Sequence, residues 1–434
     1  MKKKQTTLRW IAALAALSTI SLTTTHAQTS DADRVADLEQ RLLKLEEAQA
    51  DAKSMHAYWR NGLQFENADR SVRFNIGGRV QSDWAWMSPE ESLDEEKGPF
   101  RDGTKFRRAR LKVSGTLYDT GIFVAEYDFV GGDPIFRDVW AGVKGIPILG
   151  TVRVGRMLEP YALEQLSGNN FHQFIERGLP AAFFPFRNNG VIVQNHILNQ
   201  RMTWAVGAFR HTDAFGDSST NSKHSVTARF TAAPVYSEDG KTWVHLGASL
   251  SQRTPNDDTY RVSSRPESYV APVMASTGAL PTDQVNLAGA EFAATHGPLS
   301  VQAEWHMANL DLLESEDYEK TNDIELSGYY LYASYFLTGE HRTYSRTSGL
   351  FGRTSPKNNF KSDGSGWGAW EVTARYSELD LNDGPVEGGR MSGITAGINW
   401  YLNPNMRAMA NYIYSDLDTV GAVDLVTMRF QFDF

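Results

Sequence analysis

The chain has 434 residues, no cysteine, 43 basic against 52 acidic residues, a formal charge of −9 and a mean hydropathy of −0.41. Without cysteine, neither a disulfide framework nor a thiolate metal site can form, and the acidic balance argues against a nucleic-acid-binding surface. The polar mean does not exclude a membrane protein, because a β-barrel carries its apolar residues at every second position and averages out as polar.

Residues 1–27 read as a cleaved export signal. A basic start (Lys2, Lys3, Lys4, Arg9) precedes an apolar run from Trp10 to Leu22 and small residues before a cut after Thr25-His26-Ala27. The rival reading, a lone transmembrane helix, would need roughly 20 apolar residues. Removing the signal leaves a charge of about −13 and no later stretch long enough for a helical span. Residues 28–60 form a segment of different character. From Asp31 to Lys53 there is no Gly or Pro, and Val35, Leu38, Leu42 and Leu45 follow three-four-three spacing, the seam of a short coiled coil. A helix packed on its own barrel is the alternative.

From 61 to 434 the chain reads as strand after strand. Alternation places strands near 72–87, 104–119, 121–130, 134–144, 150–157, 190–198, 201–211 and 224–233, then 242–253, 284–296, 299–308, 323–337, 366–378, 391–402, 406–415 and 423–434. The fold class is therefore all-β, an antiparallel transmembrane barrel of sixteen strands. An even count suits a barrel with both termini in the periplasm. A soluble β-sandwich would alternate too, but Trp and Tyr near so many strand ends suit membrane interfaces. Residues 338–366 must then be a long periplasmic connection where short turns are usual; a hidden hairpin there would make eighteen strands. The 158–189 connection holds many large apolar residues together with Glu159, Glu164, Glu176, Arg177 and Arg187, and is expected to pack inside the lumen. The last strand puts Val426, Met428, Phe430, Phe432 and Phe434 on one face and Thr427, Arg429, Gln431 and Asp433 on the other, a closing pattern that resembles that of bacterial outer-membrane barrels.

Four runs carry a more specific resemblance: FRRARLKVSGTLYD (106–119), VRVGRMLEPYALEQL continuing to FIERGLP (152–180), SYFLTGEHRTYS (334–345) and WGAWEVTARYSELDLND (367–383). Together they resemble the phosphate-selective porin O and P family over nearly all of the barrel. The resemblance implies a homotrimeric sixteen-strand porin in outer-membrane lipid, an inward-folded third external loop, and lumenal Arg and Lys that guide small anions such as phosphate. No cofactor and no metal are expected.

Alternation places Arg108, Arg110, Lys112, Arg153, Arg229, Arg253 and Arg375 on the pore-lining face, and the resemblance makes them the anion-binding candidates. Arg108, Arg110 and Lys112 occupy alternate positions of one strand, about 6 to 7 Å apart, so an anion could pass from one to the next. Guanidinium groups suit phosphate through paired, charge-assisted hydrogen bonds. Inward acids (Asp83, Glu126, Asp128, Asp138, Glu291, Glu304, Glu371, Asp433) share that face, so wall pairing is the alternative role for each cation. Opposed charged walls would instead suit a general small-solute porin. Scattered histidines (His172, His196, His211, His224, His245, His296, His306) show no metal-ligand spacing on one strand and no nucleophile sits in a recognisable motif, so no catalytic residue is expected. A purely structural or adhesive barrel would carry very long polar external loops, whereas the longest external stretch is 254–283.

Overall fold

The computed structural model describes residues 31–434 apart from 219–222, 316, 317 and 319. The expected signal, 1–27, lies outside the described residues. The chain divides into two units, the first reaching Ser54 and the second Met55–Phe434. In the first, α1 (Asp31–Lys53) is one uninterrupted helix whose Val35, Leu38 and Leu42 are exposed.

The second unit is a closed antiparallel barrel. Its strands are β1 (Arg73–Pro89), β2 (Gly103–Leu117), β3 (Gly121–Asp128), β4 (Ile135–Ile146), β5 (Gly150–Leu158), β6 (Arg187–Ile197), β7 (Met202–Arg210) and β8 (Ser225–Tyr236). They continue as β9 (Thr242–Arg253), β10 (Leu280–His296), β11 (Leu299–Leu312), β12 (Thr321–Phe336), β13 (Ala369–Asp383), β14 (Val386–Asn403), β15 (Met406–Leu417) and β16 (Gly421–Asp433). Each pairs with the next, and β16 closes on β1 from Val423↔Pro89 to Asp433↔Arg79. The sixteen expected strands are all present, so 338–366 adds no strand to the wall.

Period-two chemistry drives the closure. On β16, Val426, Met428, Phe430 and Phe432 face out, while Thr427, Arg429, Gln431 and Asp433 are buried inside. A closed wall leaves no unpaired strand edge in lipid, where each unmet backbone group would cost several kcal/mol. Where β16 stops, a hairpin of Met55–Trp59 and Leu63–Asn67 takes over the pairing of β1, with Leu63 opposite Ile76. Phe434 itself both donates to and accepts from the Gly78 backbone.

One end carries short turns at 118–120, 147–149, 198–201, 237–241, 297–298 and 404–405, the periplasmic pattern, with 337–368 as its one long connection; the other carries most of the longer loops, with short turns at 384–385 and 418–420. The lumen is not simply polar. Toward the external ends of β10–β16, inward positions are apolar: Leu287, Leu310, Leu326, Leu379, Ile413 and Leu425 form one core with Tyr161, Leu179, Phe183 and Phe184 of the 159–186 connection and Val262 and Met274 of 254–279. Burying these two loops inside removes apolar area from water at roughly 25 cal/mol per Å². The 337–368 connection also enters, from the periplasmic side. There Tyr344–Ser345 pairs with Leu350–Phe351, and Trp243 of β9 stacks on Tyr344.

Candidate functional site

Among the described residues, two sizeable cavities stand out in the lumen. The external one, about 1000 Å³, is lined by Arg107, Arg137, Arg156, Arg177, Arg253 and residues of the three external loops that follow β5, β7 and β9. The periplasmic one, about 590 Å³, is lined by Arg79, Arg110, Lys112, Arg153 and Arg229 together with Thr347 and Ser348 of the inserted connection. Arg187 lines both. It sits at the first position of β6, donates to Asp138 at 2.6 and 3.0 Å, and lies 3.8 Å from Glu126.

The expected anion-binding cations divide into three groups. Lys112 and Arg153 line the periplasmic cavity with no carboxylate within 4.0 Å among the described residues; Arg153 donates to Gln194 at 2.7 Å and lies over the Trp140 ring. Arg110, Arg229 and Arg253 also reach a cavity but are tied to acids: Arg110 to Asp128 at 2.8 Å, Arg229 doubly to Glu291 at 2.7 and 2.8 Å, and Arg253 to Glu159 at 2.9 Å. Arg108 and Arg375 line neither cavity, contrary to expectation. Arg108 is 3% exposed and donates to Gln81 at 2.7 Å. Arg375 is held by Glu267 of the 254–279 loop and donates to the Glu176 carbonyl at 3.1 Å. The physical reason is loop packing: once the two external loops fill the lumen beside them, an inward direction no longer means access to water.

Three arginines on the external cavity escape a strict alternation. Arg107 and Arg108 stand together where Ser82 pairs with Phe106 but Gln81 with Arg108, leaving Arg107 as the extra residue of a β-bulge. Arg137 and Asp138 stand likewise where Ala125 pairs with Val139 but Tyr127 with Phe136. Arg156 follows Gly155, whose φ of +132° is open only to glycine and whose Cβ would lie 2.5 Å from the Val139 carbonyl oxygen. For Arg107 and Arg137 the legible signal is two adjacent charges in one strand, since strict alternation would leave one of them in lipid; Arg156, between Gly155 and Met157, carries no such signal.

The acids of the 159–186 connection are all accounted for. Glu159 is fully buried and accepts from Arg253, from Asn188 at 2.7 Å, and from the Ser225 and Thr227 hydroxyls. Glu176 accepts from Arg107 at 2.7 Å and Arg429 at 2.8 Å. Burial works to raise its pKa, but Arg107, Arg429 and Arg108 together outweigh that and hold it well below the usual carboxylate range. Glu164 goes the other way. Burial, with Glu304 adding to it and Arg375 opposing, pushes it up to about 8, so at neutral pH it is mostly uncharged. Arg177 meets no carboxylate within 4.0 Å among the described residues; burial lowers it only to about 10, and it stays charged at neutral pH. The connection is pinned by Glu304 of β11, which accepts the backbone N–H groups of Leu163 and Glu164, each at 2.8 Å, and the Tyr330 hydroxyl.

Known proteins resemble this chain at both levels. The family model for phosphate-selective porin O and P matches residues 74–434. Porin O of Pseudomonas aeruginosa is 25% identical over 396 residues, covering 83% of this chain and 87% of that protein. An uncharacterized protein of Caulobacter vibrioides is 29% identical over 383 residues, covering 85% and 72%. Among solved structures, a loop-deletion mutant of OmpT, an outer membrane protein of Vibrio cholerae, aligns with a TM-score of 0.53 at 13% identity, over 84% of this chain and 100% of that one. The outer membrane channel DcaP of Acinetobacter baumannii aligns at 0.51 and 10% identity, over 85% and 99%. A match over the whole barrel wall, on a closed sixteen-strand barrel with cavities opening from both ends, means that the chain belongs to the phosphate-selective porin O and P family and is a porin of the bacterial outer membrane.

Proposed function

We propose that the channel prefers anions and passes phosphate and other small acids by passive diffusion, as a pore and not as an enzyme. The observation that carries this reading is the meeting of two arginine-lined cavities at Arg187, with Lys112, Arg153, Arg156 and Arg177 free of carboxylate partners within 4.0 Å among the described residues. The acids of the constriction loop are buried in hydrogen bonds, ion-paired or protonated, so they offer little repulsion to an entering anion. Conduction requires sites that attract and also release, and cations spaced along both cavities supply that. The family name and the likeness to Porin O point to phosphate as the solute.

The same reading includes a homotrimer in outer-membrane lipid. A neighbour of this fold, OmpT of Vibrio cholerae, has been solved in a trimer form. The exposed Val35, Leu38 and Leu42 seam of α1 suits zipping between copies, since a helix this short gains stability from partners. Residues 1–27 serve as the export signal removed before assembly, and 159–186 serves as the constriction loop. A general small-solute porin is the second reading, favoured by the pairing of Arg110, Arg229 and Arg375 with wall or loop acids. Reversal potentials across a planar bilayer in a KCl gradient decide between them: chloride preference is expected, and it should fall toward unity in Lys112→Gln/Arg153→Gln. Potassium preference in the wild-type channel would overturn the anion reading and leave the porin intact.

A further inference from the structure

The external cavity is not lined as a site for a bare inorganic ion would be. Among its arginines the cavity also carries apolar lining from Ala181, Ala182, Pro185, Phe186, Tyr269 and Val273. Two aromatic rings stand open within it, Phe186 at 45% and Tyr269 at 40% exposed. An exposed ring inside a lumen gains nothing from water, and other apolar residues of the same loop found packing partners in the core.

Both rings are held in place. Phe186 adopts φ +50°, an uncommon conformation for a residue with a bulky side chain. Its backbone is pinned on both sides: its N–H donates to Gln165 at 3.3 Å and its carbonyl accepts from the Glu159 N–H at 3.0 Å. Arg187 follows it directly, and the Arg177 guanidinium lies 5.9 Å from its ring centre. Tyr269 has Arg107 at 4.1 Å, Lys105 at 5.3 Å and Arg265 at 5.9 Å from its ring centre. Each open ring therefore has fixed positive charge beside it. That pairing matches a solute with a flat apolar body and an anionic head, whose ring meets Phe186 or Tyr269 while its charge meets a neighbouring guanidinium.

We propose that the external cavity is a recognition site for small organic anions bearing one aromatic ring, aryl phosphates and aryl carboxylates, which it holds more tightly than inorganic anions of the same charge. This rests on the anion preference proposed above. Inorganic phosphate would use the guanidinium groups alone and leave both rings wet.

The test is block of the chloride current through single wild-type channels in a planar bilayer, comparing phenyl phosphate with inorganic phosphate and benzoate with acetate, each added from the loop side. Ring contacts of this kind predict half-blocking concentrations about threefold to tenfold lower for the aryl member of each pair. Phe186→Asn, whose side chain tolerates left-handed backbone, and Tyr269→Ala should each shrink that ratio, and together bring it near one. Equal block by the aryl and ring-free members in the wild type would overturn the proposal, as would a ratio untouched by both substitutions. The KCl reversal potential of the same wild-type channels separates the two ideas: chloride preference without aryl discrimination removes the aromatic site alone, whereas potassium preference removes the anion reading beneath it.

Discussion

Two connections enter the lumen from opposite ends, and they are fastened by opposite charges. The 159–186 connection brings acids to a basic wall: Glu159 meets Arg253, and Glu176 meets Arg107 and Arg429. The 337–368 connection brings arginines and a tyrosine to a polar and acidic wall. Arg342 donates to Gln302 at 3.1 Å and to Tyr332 at 2.7 Å, Arg353 pairs with Asp433, Tyr344 bonds His245 at 2.7 Å, and the Gly349 carbonyl accepts from Arg229 at 3.1 Å. The difference shows how a channel can be narrowed without reversing its charge. Each insert neutralises charge only where it docks, and cations beyond its reach, such as Lys112 and Arg153, are left facing water.

The largest effect on this contrast should come from Glu304→Ala. It strips the acceptor from two buried N–H groups at the root of the external insert, at a cost on the order of 3 kcal/mol. Single-channel conductance should rise and become noisy, and thermal unfolding in detergent should move down; an unchanged conductance would mean that other contacts seat the loop. Removing residues 347–349 from the periplasmic insert should widen the smaller cavity and raise conductance while leaving ion preference close to wild type, because Thr347 and Ser348, which line it, and Gly349 beside them carry no charge. A large change of selectivity in that deletion would break the comparison.

Smaller effects test the charge logic. Glu176→Gln removes an acid from between Arg107 and Arg429, so chloride preference should increase; a fall would show that Glu176 mainly orders those arginines. Raising the pH should work the other way through Glu164. Its carboxyl, pushed up to about 8 by burial, is neutral below that value and gains a negative charge above it, so chloride preference should decline between pH 7 and pH 9. Glu164→Gln should flatten that profile, and an identical profile in the variant would assign the titration elsewhere. Smallest of all, Tyr344→Phe loses one hydrogen bond to His245, about 1 kcal/mol, and should loosen the periplasmic insert without altering ion preference.

Much of this molecule is legible in its sequence. Sixteen strands, their parity and the closing face of Val426–Phe432 follow from period-two alternation, because a wall with lipid on one side and a lumen on the other must sort its side chains that way. The same alternation puts Lys112 and Arg153 on the lumenal face, where they line a cavity. It could not find Arg107, Arg137 and Arg156, because two bulges and a glycine turn them out of phase.

Nor could the linear pattern separate Lys112, which faces a cavity, from Arg108 and Arg375, which are sealed beneath the inserted loops. Alternation is a local property of the backbone and determines which way a side chain points. Whether that side chain then meets water, an acid or a loop depends on segments as distant as Glu267 from Arg375 or Glu176 from Arg429, and only the tertiary structure brings those together.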